Sequence, residues 1–386
     1  MYVPYSIILD NLEIGLREGI KMTVFSKITQ MGHEQVLFCS DETTGLKAII
    51  AIHDTTLGPA LGGCRMWDYD SEEEALEDVL RLSKGMTYKA AISGLNLGGG
   101  KAVIIGDPKK LKNEAFFRAF GRFVDSLNGR YITAEDVNIR VSDIEAAALE
   151  TQYVSGVTNK AGGSGDPSPI TAWGTFHGIR AAVKFKLGKD SLKGVKVAVQ
   201  GCGSVGGSLV GYLAHEGAEI YVADLNEKRL KELSEEYGAK IVALNEVHKL
   251  DVDVFAPCAL GGFINDETIP EIKAPIIAGA ANNQLLDEKK HSEELMKRDI
   301  LIAPDYVINA GGLMNVYQEL VGYNREHVMS KATKIYDTLI SIFEVSKEKG
   351  ISPIESANEL AESRIKSIQN LKGLRNNLNN QLWFNS

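Results

Sequence analysis

Val195-Lys-Val-Ala-Val-Gln200 runs directly into Gly201-Cys-Gly-Ser-Val-Gly206, and this junction decides the fold. The first six residues read as a short buried strand, and the next six as a G-x-G-x-x-G turn that opens an apolar helix ending near Gly217. A second strand, Glu219 to Ala223, follows and ends on Asp224, 23 residues after the first glycine. In this β-α-β unit the glycines permit a tight turn and close approach of a pyrophosphate. The helix N-terminus supplies partial positive charge, and the carboxylate meets ribose hydroxyls. The unit therefore implies dinucleotide binding. Asp224 would repel a 2′-phosphate, which favours NAD over NADP, with Lys228 and Arg229 nearby as the opposing consideration.

Outward from this unit, strand and helix keep alternating, which predicts a doubly wound parallel sheet. Upstream, Val36 to Ser40 and Leu46 to His53 are strand-like, Ser71 with Glu74 forms a capping-box pattern, and Leu76, Val79, Leu80 and Met86 recur at helical spacing. Phe116, Phe117, Phe120, Phe123 and Val124 read as the core face of a helix over 114–127 rather than a ligand cage. Gly162 to Pro167 is the richest stretch in turn-formers and the natural hinge, followed by a helix from Thr171. Ile335, Leu339, Ile342 and Phe343 mark a late helix, and the Asn-rich tail from Leu371 reads as loosely ordered.

With 386 residues the chain has room for two domains. The net charge of −9, with acids and bases interspersed, argues against nucleic acid and anionic membrane as partners. No apolar run is long enough for a span, residues 1–21 are unlike a signal peptide, and a cytoplasmic protein is expected. The four cysteines and seven histidines are scattered, so reduced thiols and no metal site are expected.

Lys89 and Lys101 lie twelve positions apart, the second directly after Gly98-Gly99-Gly100. Backbone without Cβ atoms lets neighbouring segments close around an ammonium. Desolvation and a neighbouring like charge both disfavour the protonated form, and a base that titrates near neutrality suits proton abstraction. The alternative is a glycine turn before a buried strand, with Lys101 simply solvated.

Leu57-Gly-Pro-Ala-Leu-Gly-Gly63, Lys84-Gly-Met-Thr-Tyr-Lys89, Gly98-Gly-Gly-Lys101, Thr133-Ala-Glu-Asp136, Ala256-Pro-Cys-Ala259, Ala281-Asn-Asn283 and Asn309-Ala-Gly-Gly312 stand in one order along the chain. Together they resemble the Glu/Leu/Phe/Val dehydrogenase family, over about 22–364. The resemblance implies an N-terminal α/β substrate and oligomerisation domain (1–155, with 1–21 an extension and 350–386 packing back on it). It also implies a Rossmann-type NAD-binding domain (156–349) and a homo-oligomer, often an octamer. Lys89 would bind the α-carboxylate, Lys101 would activate water as the base, and Asp136 would handle the amine proton. Gly63 would line the substrate site, while Thr171, the turn Gly201, Cys202, Gly203, Ser204, Val205, Gly206 and Gly207, together with Asp224, Cys258, Ala259 and Asn282, would hold the cofactor.

By the same resemblance, Leu61 stands where glutamate-specific members carry a lysine for the side-chain carboxylate. Leu61, Met86, Ala134, Leu313 and Val316 then form an apolar pocket. Ala134 matches leucine-type members, and Leu313 matches phenylalanine-type members. After Val137 the family usually has Gly-Thr-Thr, where this chain has Asn138-Ile139-Arg140, similar to tryptophan-using relatives. Asn tolerates a left-handed backbone, so the turn is expected to survive. Ser155, often threonine in leucine-type members, keeps the hydroxyl. The expected activity is NAD-dependent deamination of branched-chain L-amino acids, leucine first, the alternative being an aromatic amino acid.

Overall fold

The computed structural model describes residues 23–157, 164–259 and 261–371. The extension 1–21, residues 162–163 of the expected hinge and the Asn-rich tail beyond Leu371 lie outside them.

Thr23 caps helix α1 (Val24–Met31), after which β1 (Gln35–Asp41) and β2 (Leu46–Asp54) pair as an antiparallel hairpin. β3 (Ala60–Trp67) leads into the long helix α2 (Glu72–Ile92), then β4 (Gly98–Ile105), α3 (Glu114–Ser126), β5 (Tyr131–Glu135) and α4 (Val141–Ala147). The sheet has the order β1-β2-β4-β3-β5, with β3 parallel to both β4 and β5. β2 and β4 are buried almost throughout, which is why their sequences read as continuous apolar runs. The Ser71 hydroxyl accepts from the Glu74 N–H at 3.1 Å, but Glu74 reaches back to the N–H of Asp70, one residue before the N-cap. Phe116, Phe117, Phe120 and Val124 are buried in the core, as their spacing implied.

The glycine triplet is strand, not turn. A Cβ on Gly99 would lie 2.1 Å from the Thr87 backbone nitrogen, so the glycine lets α2 lie directly against β4. Gly bears a conformational cost in a strand, and here close packing of helix on sheet offsets it.

α5 (Ser168–Leu187) leads towards the second sheet and starts three residues before the helix start expected at Thr171. Pro167, the last residue of the turn-rich stretch, is the N-cap of this helix, and Pro169 suits its first turn, where no N–H partner is needed. β6 (Lys196–Gln200), α6 (Ser204–His215) and β7 (Glu219–Ala223) form the fingerprint unit, followed by α7 (Glu227–Tyr237), β8 (Lys240–Ile241), β9 (Val254–Pro257), β10 (Ile276–Ile277), α8 (Glu288–Lys297) and β11 (Leu301–Ile302). The sheet is wholly parallel in the order β11-β10-β9-β6-β7-β8. The strand order reverses between β6 and β9, the switch point at which doubly wound sheets bind ligands.

Five further helices close the molecule: α9 (Asp305–Ile308), α10 (Gly311–Leu320), α11 (Arg325–Thr333), α12 (Ile335–Lys349) and α13 (Pro353–Gln369). The late-helix residues Ile335, Leu339, Ile342 and Phe343 are buried. α13 returns to the first domain, where Arg364 donates to the carbonyls of Ala91 (2.8 Å), in the last turn of α2, and Leu95 (2.9 Å), just after it. No described helix is long and apolar enough to cross a membrane.

Candidate functional site

Lys89 sits in the last turn of α2 and Lys101 in β4. Asp136 follows the last residue of β5. Gly63 makes the third approach possible, because a Cβ there would lie 2.9 Å from the Asp136 Cβ and 2.5 Å from the Glu135 carbonyl oxygen. Lys101 is only 6 % exposed, and its ammonium meets Asp136 Oδ2 at 2.6 Å. Burial on its own would raise the Asp136 carboxyl; Lys101, and after it Arg65, hold it below the usual carboxylate range.

Lys89 donates to Asn309 Oδ1 at 2.7 Å from the floor of the cleft. Burial pushes its ammonium down to about 8, with the Asp305 carboxylate opposing and the Lys101 charge assisting. Asp305 is itself raised by burial, although its Oδ1 accepts from the Tyr306 N–H and Lys89 lies near.

These groups line a cleft of about 690 Å³ to which both domains contribute. Leu61, Gly63, Met86, Lys89, Lys101, Ala134, Asp136, Asn282, Leu313 and Val316 all face it. Leu61, Ala134 and Leu313 are buried in its wall. Asn138 adopts φ 61° and donates to the Met66 carbonyl at 3.0 Å, so the left-handed turn does survive the departure from glycine. Arg140 is exposed at the N-terminus of α4, outside the cleft lining. The Ser155 hydroxyl donates to Glu319 at 2.8 Å.

The remaining predicted residues gather at the carboxyl ends of β6, β7 and β9. Gly201 takes φ +91° and touches Ala259, whose nitrogen would be 2.8 Å from an added Cβ. Gly206 lies so close to the Gly201 carbonyl that a Cβ would sit 1.9 Å from its oxygen, and its next neighbour is the Cys258 Cβ. Gly203, by contrast, faces open space, with Cys202, Ser204 and Val205 on either side at the start of α6 and Gly207 against Arg229. Asp224 fixes this turn, accepting from the Cys202 N–H at 2.6 Å through Oδ2 and from the Asn226 N–H at 2.8 Å through Oδ1. An open glycine at a helix N-terminus beside a strand-end carboxylate fits a dinucleotide diphosphate and ribose. Thr171 is apart from the cleft lining; its hydroxyl donates to the Pro167 carbonyl at 3.1 Å, beside Gly312. Among the described residues no group of His, Cys, Asp or Glu is placed to hold a metal ion, and all four cysteines are free.

Three residues in or beside the cleft escaped the sequence reading. Asn309 stood in a quoted motif without a role; it joins Lys89 to Asn282, whose Oδ1 accepts from its Nδ2 at 2.7 Å, and so links the two groups of residues. Asp305 accepts from the backbone of Asn283. Arg65 was signalled only by being a charge inside an otherwise apolar strand, and its Nε lies 3.3 Å from Asp136 Oδ2.

A wholly parallel sheet of the dinucleotide-binding type thus stands beside a cleft that holds two lysines and an aspartate. Residues 33–153 match the Glu/Leu/Phe/Val dehydrogenase dimerisation domain, and residues 221–373 match Glutamate/Leucine/Phenylalanine/Valine dehydrogenase. The chain is 55 % identical over 348 residues to leucine dehydrogenase of Geobacillus stearothermophilus, covering 90 % of this chain and 95 % of that protein. It is 52 % identical over 351 residues to L-tryptophan dehydrogenase of Nostoc punctiforme, covering 91 % and 98 %. A crystal structure of L-tryptophan dehydrogenase from Nostoc punctiforme has a TM-score of 0.82 at 50 % identity, covering 90 % of this chain and 100 % of that one. The chain belongs to the Glu/Leu/Phe/Val dehydrogenase family and is an amino-acid dehydrogenase.

Proposed function

We propose that the protein catalyses reversible, NAD-dependent oxidative deamination of L-leucine, and of valine and isoleucine more slowly, to 2-oxo acids and ammonia. The observation that carries this reading is the cleft itself: Lys89, Lys101 and Asp136 converge beside a wall made by Leu61, Met86, Ala134, Leu313 and Val316. An acidic side chain would find no cation at Leu61.

Lys89 holds the α-carboxylate; an anion beside it opposes the effect of burial and restores its charge. The turn from Gly201 to Gly206 and Asp224 would hold NAD, which would supply the acceptor for the α-carbon hydride. Asp136 takes a proton from the substrate amine, and Lys101 takes one from the water that attacks the imino carbon. The cleft excludes bulk water from both transfers. The resemblance and the match of 33–153 to a dimerisation domain support a homo-oligomer, an octamer by the resemblance. The domains divide near residue 155, where the chain passes from the first sheet towards α5.

A second reading, an aromatic substrate, is favoured by Leu313, by Asn138-Ile139 and by the identity to L-tryptophan dehydrogenase. Initial rates of NADH formation on leucine, valine, phenylalanine, tryptophan and glutamate separate the two. Leucine should lead, with valine within roughly 10–200-fold, since a methylene is worth about 1–3 kcal/mol. Tryptophan or phenylalanine in first place would give the second reading; glutamate in first place would refute the pocket.

For the cofactor, Asp224→Ala should raise the KM for NAD about tenfold and improve NADP relative to NAD, because the carboxylate that repels a 2′-phosphate is gone. Unchanged relative kcat/KM for the two cofactors would show that Asp224 serves only to tie down the Cys202 and Asn226 backbone.

A further inference from the structure

Asp136 Oδ2 has two cations beside it, the Lys101 ammonium at 2.6 Å and Arg65 Nε at 3.3 Å. Arg65 is anchored from behind, since its Nη1 donates to Asp78 Oδ2 at 3.0 Å on α2. Asp78 also accepts from the Tyr69 hydroxyl at 2.8 Å and from Arg81 at 2.9 Å. One guanidinium thus spans two carboxylates, one on the helix that carries Lys89 and one just after β5 in the cleft wall. Arg65 Nε and Asp136 Oδ2 are both buried and make no hydrogen bond elsewhere among the described residues, so their contact is electrostatic.

The two cations differ in kind. Lys101 changes charge when it takes a proton from water, whereas a guanidinium stays protonated in any protein environment. Whenever Lys101 is neutral, the buried Asp136 carboxylate loses its nearest counter-charge, and Arg65 is the positive group left in contact with it. The other groups facing Asp136 do not replace it: Lys89 on α2 is engaged with Asn309, while Glu135 and Tyr131 on β5 and Cys64 on β3 carry no positive charge. We propose that Arg65 is a positioning residue for the Lys101–Asp136 pair, holding a permanent positive charge against Asp136 Oδ2 through the catalytic cycle. This rests on the reading of Lys101 and Asp136 as the proton-transfer groups. A permanent positive charge beside Asp136 Oδ2 favours the form of the pair that has given up a proton.

The test is the pH profile of kcat for leucine deamination by the full chain. Arg65→Met should move the rising limb upward by about one pH unit and lower kcat near pH 7.5 about tenfold or more, with the KM for NAD within twofold of wild type. Arg65→Gln, which keeps a polar side chain without charge, should move the limb the same way and covers the case in which Arg65→Met fails to fold. Arg65→Lys should return the limb most of the way. A rate depressed equally at every pH, with the limb in place, would mean a structural role only and would overturn the proposal. Asp136→Asn separates the two levels. If it abolishes turnover, an unmoved limb in the Arg65 variants sinks this inference alone. If it turns over near the wild-type rate, the assignment of Asp136 falls, and the inference with it.

Discussion

Lys101→Ala should lower kcat about a thousandfold while leaving NADH binding intact. The ammonium it removes is 2.6 Å from Asp136 and almost wholly enclosed, so no surface lysine can take its place. A positioned acid–base group contributes roughly 10²–10⁴ in rate, and a thousandfold loss corresponds to about 4 kcal/mol of transition-state stabilisation. The turn Gly201 to Gly206 and Asp224 belong to the other sheet, which accounts for the retained cofactor affinity. Steady-state rates on leucine and fluorescence titration with NADH measure the two halves separately. A variant turning over near the wild-type rate would show that Lys101 is not the base, and loss of NADH binding would show that the domains are coupled more tightly than the cleft suggests.

Gly99→Ala should be a severely damaging single-methyl addition near the site. Its Cβ would lie 2.1 Å from the Thr87 nitrogen and 2.5 Å from the Ser83 carbonyl oxygen, both backbone atoms of α2 that cannot rotate aside. The helix must retreat from β4 by roughly 1 Å, which costs about 3 kcal/mol or more in a close-packed core. The same retreat disturbs the hydrogen bond of His53 with the Thr87 hydroxyl (2.8 Å) and carries Lys89 away from Lys101. A misplacement of that size costs about a hundredfold in rate. Urea unfolding and kcat/KM check both effects. Gly85→Ala on the same helix is the control for stability: its Cβ meets nothing within 4 Å, so it should stabilise by about 0.5–1 kcal/mol through helix propensity. Equal stability changes in the two variants would refute the packing argument.

The dinucleotide unit was legible because its signal is local. Strand, glycine turn, helix and Asp224 follow within 30 residues, and each is fixed by short-range backbone chemistry. Asn138 was legible for the same reason, since tolerance of a positive φ belongs to the residue itself. The meeting of Lys89, Lys101 and Asp136 was accessible only through resemblance, because it depends on how α2, β4 and β5 pack. Arg65 was signalled only as a charge in an apolar strand, and its partner was not legible: the contact depends on β3 lying between β4 and β5, an order that sequence spacing does not encode. Nor was the end of the glycine triplet's ambiguity, since glycine is a poor strand former until a helix lies against it.

What the sequence alone determined is the class of fold and the strand, glycine turn and helix of the dinucleotide-type unit, which follow from residue type and periodicity; the apolar pocket came only through resemblance. Only the tertiary structure decided that the glycine strand admits α2, that Asn309 joins Lys89 to Asn282, and that Arg65 shares the Asp136 carboxylate with Lys101. The reason is physical: backbone preference acts over a few residues, whereas the field at a buried carboxylate is set by whichever charges the packing of distant segments brings within a few ångströms.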